Sequence, residues 1–331
     1  MKWRRKSKVL INYVLGPLLF VWLAGSLYRQ IERQPGLEAA WIQIRESFRR
    51  PVVWNLIAVV LLVGVNWGLE ALKWQWSVRS VRSLSFGRSY LAVLAGIPFS
   101  VSTPNRIGEF FGRMLYMPEG SRLRTISLTI VGSISQLLIT LMAGSCSLLV
   151  LRSDIAARQL IAPLWMDVIC WGVFLVTAGT LLFYFRISWL VQWIGRIPIT
   201  RRFSHLFDAL VYLKPQLLMR LLFFSGLRFF VFILQYYLLF RLFGVDPGWA
   251  AVWWTVSASF LVMSIIPTIA VAELAQRGTV LTVLVGLYSV NELGILLATI
   301  GIWFLNLILP AIIGSLLILR MRRIFSTANE D

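Results

Sequence analysis

Three uninterrupted apolar runs limit what this chain can become: VLINYVLGPLLFVWLAGSLY from Val9, VVWNLIAVVLLVGVNWGLEAL from Val52 and LLFFSGLRFFVFILQYYLLF from Leu221. Each matches the roughly 20 residues that a helix needs to cross about 30 Å of hydrocarbon. A bilayer core offers no water to backbone N–H and C=O groups, so a spanning segment is either a helix or a strand of a closed barrel. Barrel strands alternate lipid-facing and lumen-facing residues, and these runs do not alternate. The expected fold class is therefore an all-α integral membrane protein. A hydrophobic share of 58% and a mean hydropathy of +0.77 agree with it.

Six full spans are expected, at about 9–28, 52–72, 121–150, 160–185, 217–243 and 293–319. Two further apolar regions, about 89–117 and 250–289, are interrupted by Pro104 and Pro267. Proline cannot donate a backbone hydrogen bond and clashes with the preceding turn, so each region reads as a re-entrant hairpin of two half-helices. With both termini cytoplasmic, inside segments carry 20 of the 32 basic residues and outside segments carry 8. This satisfies the positive-inside bias and places a multi-pass protein in the cell membrane. The remaining basic residues, Arg106, Arg113, Arg228 and Arg277, fall at or near membrane depth. The run at Val9 reads as an uncleaved anchor, being longer than a signal-peptide core.

The order span, hairpin, span occurs twice, and the topology sets the copies in opposite senses. The breaks correspond as well: Pro104, Glu109 and Arg113 in one, Pro267, Glu273 and Arg277 in the other, offset by 163 or 164 residues. In each, glutamate precedes arginine by four, which puts both on one helix face. Inverted repeats with interrupted helices are a common way to build a central site in transporters. The expected organisation is one polytopic domain, 1–331. Residues 1–50 form the anchor and an outer interfacial helix, and 51–150 the first repeat. A connecting span and cytoplasmic amphipathic loop occupy 151–216, and the inverted second repeat 217–320.

Ionisable groups at membrane depth are costly, so they pair, face a cavity or mark a polar path. Arg106, Glu109 and Arg113 surround the first break, where Gly108 permits close backbone approach. Such groups suit an anionic headgroup, and equally a local Glu109–Arg113 ion pair. Arg228, seven residues into its run, is expected to meet Glu273 or a water-filled cavity. Ser133, Ser135 and Gln136 read as helix glue. Asn66 and Glu70 share a face near the inner end of their span, with Lys73 as its cap.

No HExxH, CxxC, Walker loop or aspartate-rich cluster occurs, so no enzyme, cofactor or metal site is expected. Cys146 and Cys170 read as packing residues, and His205, beside Arg201 and Arg202, carries no catalytic reading. The charge of +18 follows the cytoplasmic segments, which points to anionic lipids at that face and not to nucleic acid.

The segment TPNRIGE with an arginine after it, together with the distant proline and glutamate break, resembles the flippase-like transmembrane family named for the lysylphosphatidylglycerol synthetase membrane region. The residues that carry the resemblance are Pro104, Arg106, Ile107, Gly108, Glu109, Pro267 and Glu273, and it covers about residues 50 to 320. It implies a stand-alone member, without the synthetase domain, that moves a polar-headed phospholipid or lipid-linked molecule between leaflets. Arg106, Arg113 and Arg277, with Arg228, would hold phosphate, and Glu109 and Glu273 would orient them or meet a cationic headgroup. Two other readings stay open. One is a non-transporting subunit that scaffolds a separate lipid- or glycan-modifying enzyme; the other is an ion-coupled solute transporter with a titrating carboxylate.

Overall fold

Val59, Val63, Trp67, Ala71, Trp74 and Val78 recur every three or four residues and are buried, so the first described helix presents one continuous face to the interior. This helix, α1, runs Val53–Val78. The computed structural model describes residues 53–101, 103, 106–187, 189, 210, 213–265 and 270–327, together with residues 42 and 45. The expected span at 9–28, most of the two amphipathic segments, His205, Pro104 and Pro267 lie outside the described residues.

After α1 come α2 (Phe86–Val101), the short α3 (Glu109–Met114), a 3-10 turn at Glu119–Ser121 and α4 (Arg122–Ala157). Helix α5 (Pro163–Phe185) and helix α6 (Pro215–Leu242) each begin with proline, whose missing N–H is an orphan in the first turn anyway. Then follow α7 (Trp249–Ile265), α8 (Ala270–Val285) and α9 (Glu292–Trp303). One π-helical turn at Phe304–Ile308 leads into α10 (Leu309–Thr327). Among the described residues there is helix and no strand. Five helical stretches are long and apolar enough to cross a membrane: 54–78, 122–157, 163–185, 215–242 and 292–318. The protein is thus an all-α, multi-pass membrane protein.

The two interrupted regions are both broken. Helix α2 has 16 residues, α7 has 17 and α8 has 16. At 1.5 Å per residue these are about 24–26 Å long, short of a full crossing. The first hairpin is less even than expected, because α3 has only six residues. Pro118 follows closely, and the residue before a proline is biased away from helical backbone. Glycine brings the two arms of this hairpin together. A Cβ on Gly112 would lie 2.2 Å from the Ala95 carbonyl oxygen, and one on Gly108 would lie 2.0 Å from that of Phe99.

Helices α1 and α6 form the central pair and run in opposite directions. Val59 faces Gln235, Asn66 faces Arg228, and Trp76 faces Arg220, so one number rises as the other falls. Two further contacts cross between the halves of the chain: α4 packs on α7, and α10 packs on α2. Each of these crossings rests on a glycine. A Cβ on Gly144 would lie 2.5 Å from Leu261, and one on Gly314 would lie 2.1 Å from the Leu94 carbonyl oxygen. The two halves of the chain thus interlock, α4 of the first half packing on α7 of the second and α10 of the second on α2 of the first.

Close packing at these crossings predicts a specific sensitivity. Gly144→Val and Gly314→Val should each lose about 1–3 kcal/mol through overpacking. Gly64→Val, whose added Cβ has no atom within 4 Å, should stay within about 0.5 kcal/mol. Thermal unfolding of the purified protein in detergent measures all three.

Candidate functional site

Four polar residues of α1, Asn66, Glu70, Lys73 and Ser77, fall on the buried face at helical spacing and are almost wholly inaccessible. Helix α1 continues past the expected end at 72, so Lys73 is not a terminal cap. Its Nζ lies 2.8 Å from a Glu70 oxygen inside the bundle. Glu70, 4% exposed, also receives Arg113 of α3 at 2.9 Å and Arg228 of α6 at 2.6 Å. One carboxylate thus gathers three cations from both repeats. Arg113 reaches Glu109 as well, at 3.1 Å, the pair expected from their spacing of four.

Of the two expected surroundings for Arg228, Glu273 or a cavity, the structure gives the cavity and not the Glu273 pair. The antiparallel register of α1 and α6 sets it opposite Asn66 and Glu70, and its Nε donates to Asn66 Oδ1 at 2.7 Å. The chain of bonds goes on from there. Asn66 Nδ2 donates to Asn306 Oδ1 (3.0 Å), Asn306 Nδ2 to Gln235 Oε1 (3.1 Å), and Gln235 Nε2 to the Val59 carbonyl (3.2 Å). Asn306 lies in the π-helical turn, which shifts the register of the helix at that point. The Arg228 guanidinium also stacks over Trp67 and Phe232, at 5.1 and 5.6 Å from their ring centres.

A second cluster joins the hairpins. Arg106 Nη2 donates to both Glu273 oxygens, at 3.0 and 3.2 Å, and Arg277 pairs with Glu273 one turn along α8. Arg277 Nη1 donates to the Tyr236 hydroxyl at 3.3 Å and lies 5.4 Å from the Phe260 ring centre. Arg106 holds a left-handed backbone, φ 57°, which costs about 1–3 kcal/mol in a residue with a Cβ. The Arg106–Glu273 pair ties the first hairpin to the second across 167 positions of sequence.

Between the copies lies a cavity of about 480 Å³. Arg106, Arg228, Glu273 and Arg277 line it, with Ser133, Gln136, Thr140, Ser264 and Asn306. Phe229, Phe232, Phe260 and Trp303 give the rest of the wall an aromatic character, and Ile134 and Leu137 of α4 complete it. The same two residues also line an apolar groove between α4 and α5, opposite Val176, Gly179 and Phe183. Of the candidate residues, Glu109 and Arg113 do not line the cavity; they sit behind its wall, against Glu70. Gly108 packs in the hairpin, where its N–H donates to Thr103 Oγ1 at 2.7 Å. Ser135 ties α4 to α6 through a 2.9 Å contact with Ser225, in keeping with helix glue. Gln136 donates to the Ser225 carbonyl at 3.5 Å and leaves its own Oε1 without a partner. Among the described residues no group of three metal-ligating side chains forms.

The family profile of the lysylphosphatidylglycerol synthase TM region matches residues 9–314. The chain belongs to this family. Membership makes it a membrane protein of lipid biosynthesis or transport, and the match is to the transmembrane region alone. No curated protein and no solved structure matches the chain. In this family member, the sequence placed Asn66 and Glu70 on one face with Lys73 beside them but did not mark them as part of the candidate site, and Asn306 carried no signal.

Breaking a buried ion pair by removing one partner costs about 3–5 kcal/mol, whereas exposed pairs are worth about 0–1 kcal/mol. Glu70→Ala should therefore lower thermal stability strongly. Arg152→Ala, which removes one partner of a pair that is about half exposed on both sides, should hardly move it. Paired unfolding curves in one detergent decide the comparison.

Proposed function

We propose that this family member moves a polar-headed lipid between the leaflets of the cell membrane, with both termini in the cytoplasm and no covalent chemistry of its own. The observation that carries this reading is the mixed character of the cavity. Cationic and hydrogen-bonding groups occupy one part of its wall, aromatic rings occupy another, and an apolar groove along α4 and α5 shares Ile134 and Leu137 with it. A headgroup rests against Arg106, Arg228 and Arg277 while the acyl chains follow the groove into hydrocarbon. Charge-assisted hydrogen bonds from guanidinium groups to phosphate oxygens provide the attraction.

The arrangement between repeats supports movement as well as binding. Two interlocked inverted copies can rock about their shared α1–α6 pair, and the cavity then opens to one side or the other. The Arg106–Glu273 pair sits where that motion separates the hairpins. Its side chains are 37% and 12% exposed, so it can exchange its partner for water or headgroup at modest cost. The buried Glu70 cluster stays closed and acts as the fixed part of the structure.

Leaflet exchange of labelled anionic and aminoacylated phospholipids in proteoliposomes tests the reading. The wild type should accelerate exchange over empty vesicles, and Arg106→Ala and Arg277→Gln should slow it by about tenfold or more, the loss of one charge-assisted contact to phosphate. Wild-type exchange no faster than in empty vesicles, with the protein folded, removes transport and leaves a scaffold for a separate lipid-modifying enzyme.

A further inference from the structure

Among the described residues, the charge around the cavity is not balanced. In the first cluster Lys73, Arg113 and Arg228 meet Glu70 and Glu109, three cations against two carboxylates. In the second, Arg106 and Arg277 meet Glu273, two against one. Each cluster therefore carries one positive charge in excess, and together they carry two. Charge at membrane depth is costly unless it is countered; Lys73 and Arg113 lie behind the wall, and the cations that reach the cavity are Arg106, Arg228 and Arg277. Three guanidinium groups reach the cavity wall there against a single carboxylate. Arg277, nine-tenths buried on that wall, also leaves its Nε donor without a partner.

We propose that the cavity selects a lipid phosphomonoester, a headgroup with close to two negative charges at neutral pH, over phosphodiester and aminoacylated headgroups. This deepens the lipid-handling reading and rests on it. A phosphodiester such as phosphatidylglycerol cancels one of the two excess charges and leaves the other. Lysylphosphatidylglycerol, with one phosphate and two ammonium groups, carries net positive charge at neutral pH and adds to the imbalance. A terminal phosphate also presents three free oxygens, which suits three converging guanidinium groups. The aromatic wall and the adjoining groove require a hydrocarbon tail, which inorganic phosphate lacks.

Competition for bound fluorescent phosphatidic acid on the purified full chain, at pH 8, reads the preference directly. Unlabelled phosphatidic acid should displace the probe at a concentration about tenfold or more below that of phosphatidylglycerol with the same acyl chains, with lysylphosphatidylglycerol weaker still. Ser133→Asp adds a carboxylate to the wall and removes no existing ion pair. It should shrink the preference toward unity, as should Arg106→Gln. Two substitutions at different positions guard against a folding defect in either one. Equal displacement by phosphatidic acid and phosphatidylglycerol, or stronger displacement by the lysyl lipid, overturns the proposal. Displacement by inorganic phosphate at the same concentration as phosphatidic acid overturns the lipid assignment. Leaflet exchange without headgroup preference sinks this inference alone, whereas selective binding without exchange sinks the transport reading alone.

Discussion

Glu70 draws Lys73, Arg113 and Arg228 to within 3 Å in a part of the protein with almost no solvent. These groups come from α1, α3 and α6, so one carboxylate fixes the first hairpin and the central helix of the second repeat against the central helix of the first. Desolvating these charges is costly, and their mutual attraction repays that cost only when the geometry is specific. Such a cluster contributes less to net stability than to the choice of one arrangement. Where the register of α1 and α6 slips by one residue, Arg228 no longer faces Glu70, and the arrangement that remains is far less favourable.

This division explains why the second cluster behaves differently. Glu273 holds two arginines at the rim of the cavity, and one of them, Arg106, is partly exposed and carries a left-handed backbone. One side of the cavity is formed by α4, α6 and the helix around Asn306, and another by Arg106, Phe260, Glu273 and Arg277 of the two hairpins. In the proposed lipid movement, Arg228 on the first side is the fixed donor and the Arg106–Glu273 contact is the one that opens. Glycines at 144 and 314 let α4 and α10 pack closely on α7 and α2.

Much of this was legible from residues alone. Run length gave the long helices, and the two proline-containing apolar regions marked where shorter helices stand instead of full spans. The four-residue spacing of Glu109 with Arg113 and of Glu273 with Arg277 gave two ion pairs, because helical geometry fixes neighbours within a helix. Partners across helices were a different matter. Arg228 meets Asn66 and Glu70 because α1 and α6 are antiparallel in one particular register, which no local pattern encodes. Asn306 enters the network from a π-helical turn, and such a turn leaves no clear mark in an apolar run. Helix α3 ends at Met114, before the turn that leads to Pro118, and a search for long apolar stretches passes over that end.

The central claim is that paired charges between the two hairpins close a cationic cavity, and a charge swap tests it most directly. Arg106→Glu and Glu273→Arg each set like charges together, so each alone should depress thermal stability and lipid exchange. The double substitution restores an opposite pair and the same net charge. The account predicts recovery of both readouts well beyond the sum of the single effects, with a coupling of about 0.5–3 kcal/mol in stability. Losses that simply add in the double variant would contradict it, since the two residues would then not act as one contact across the repeats.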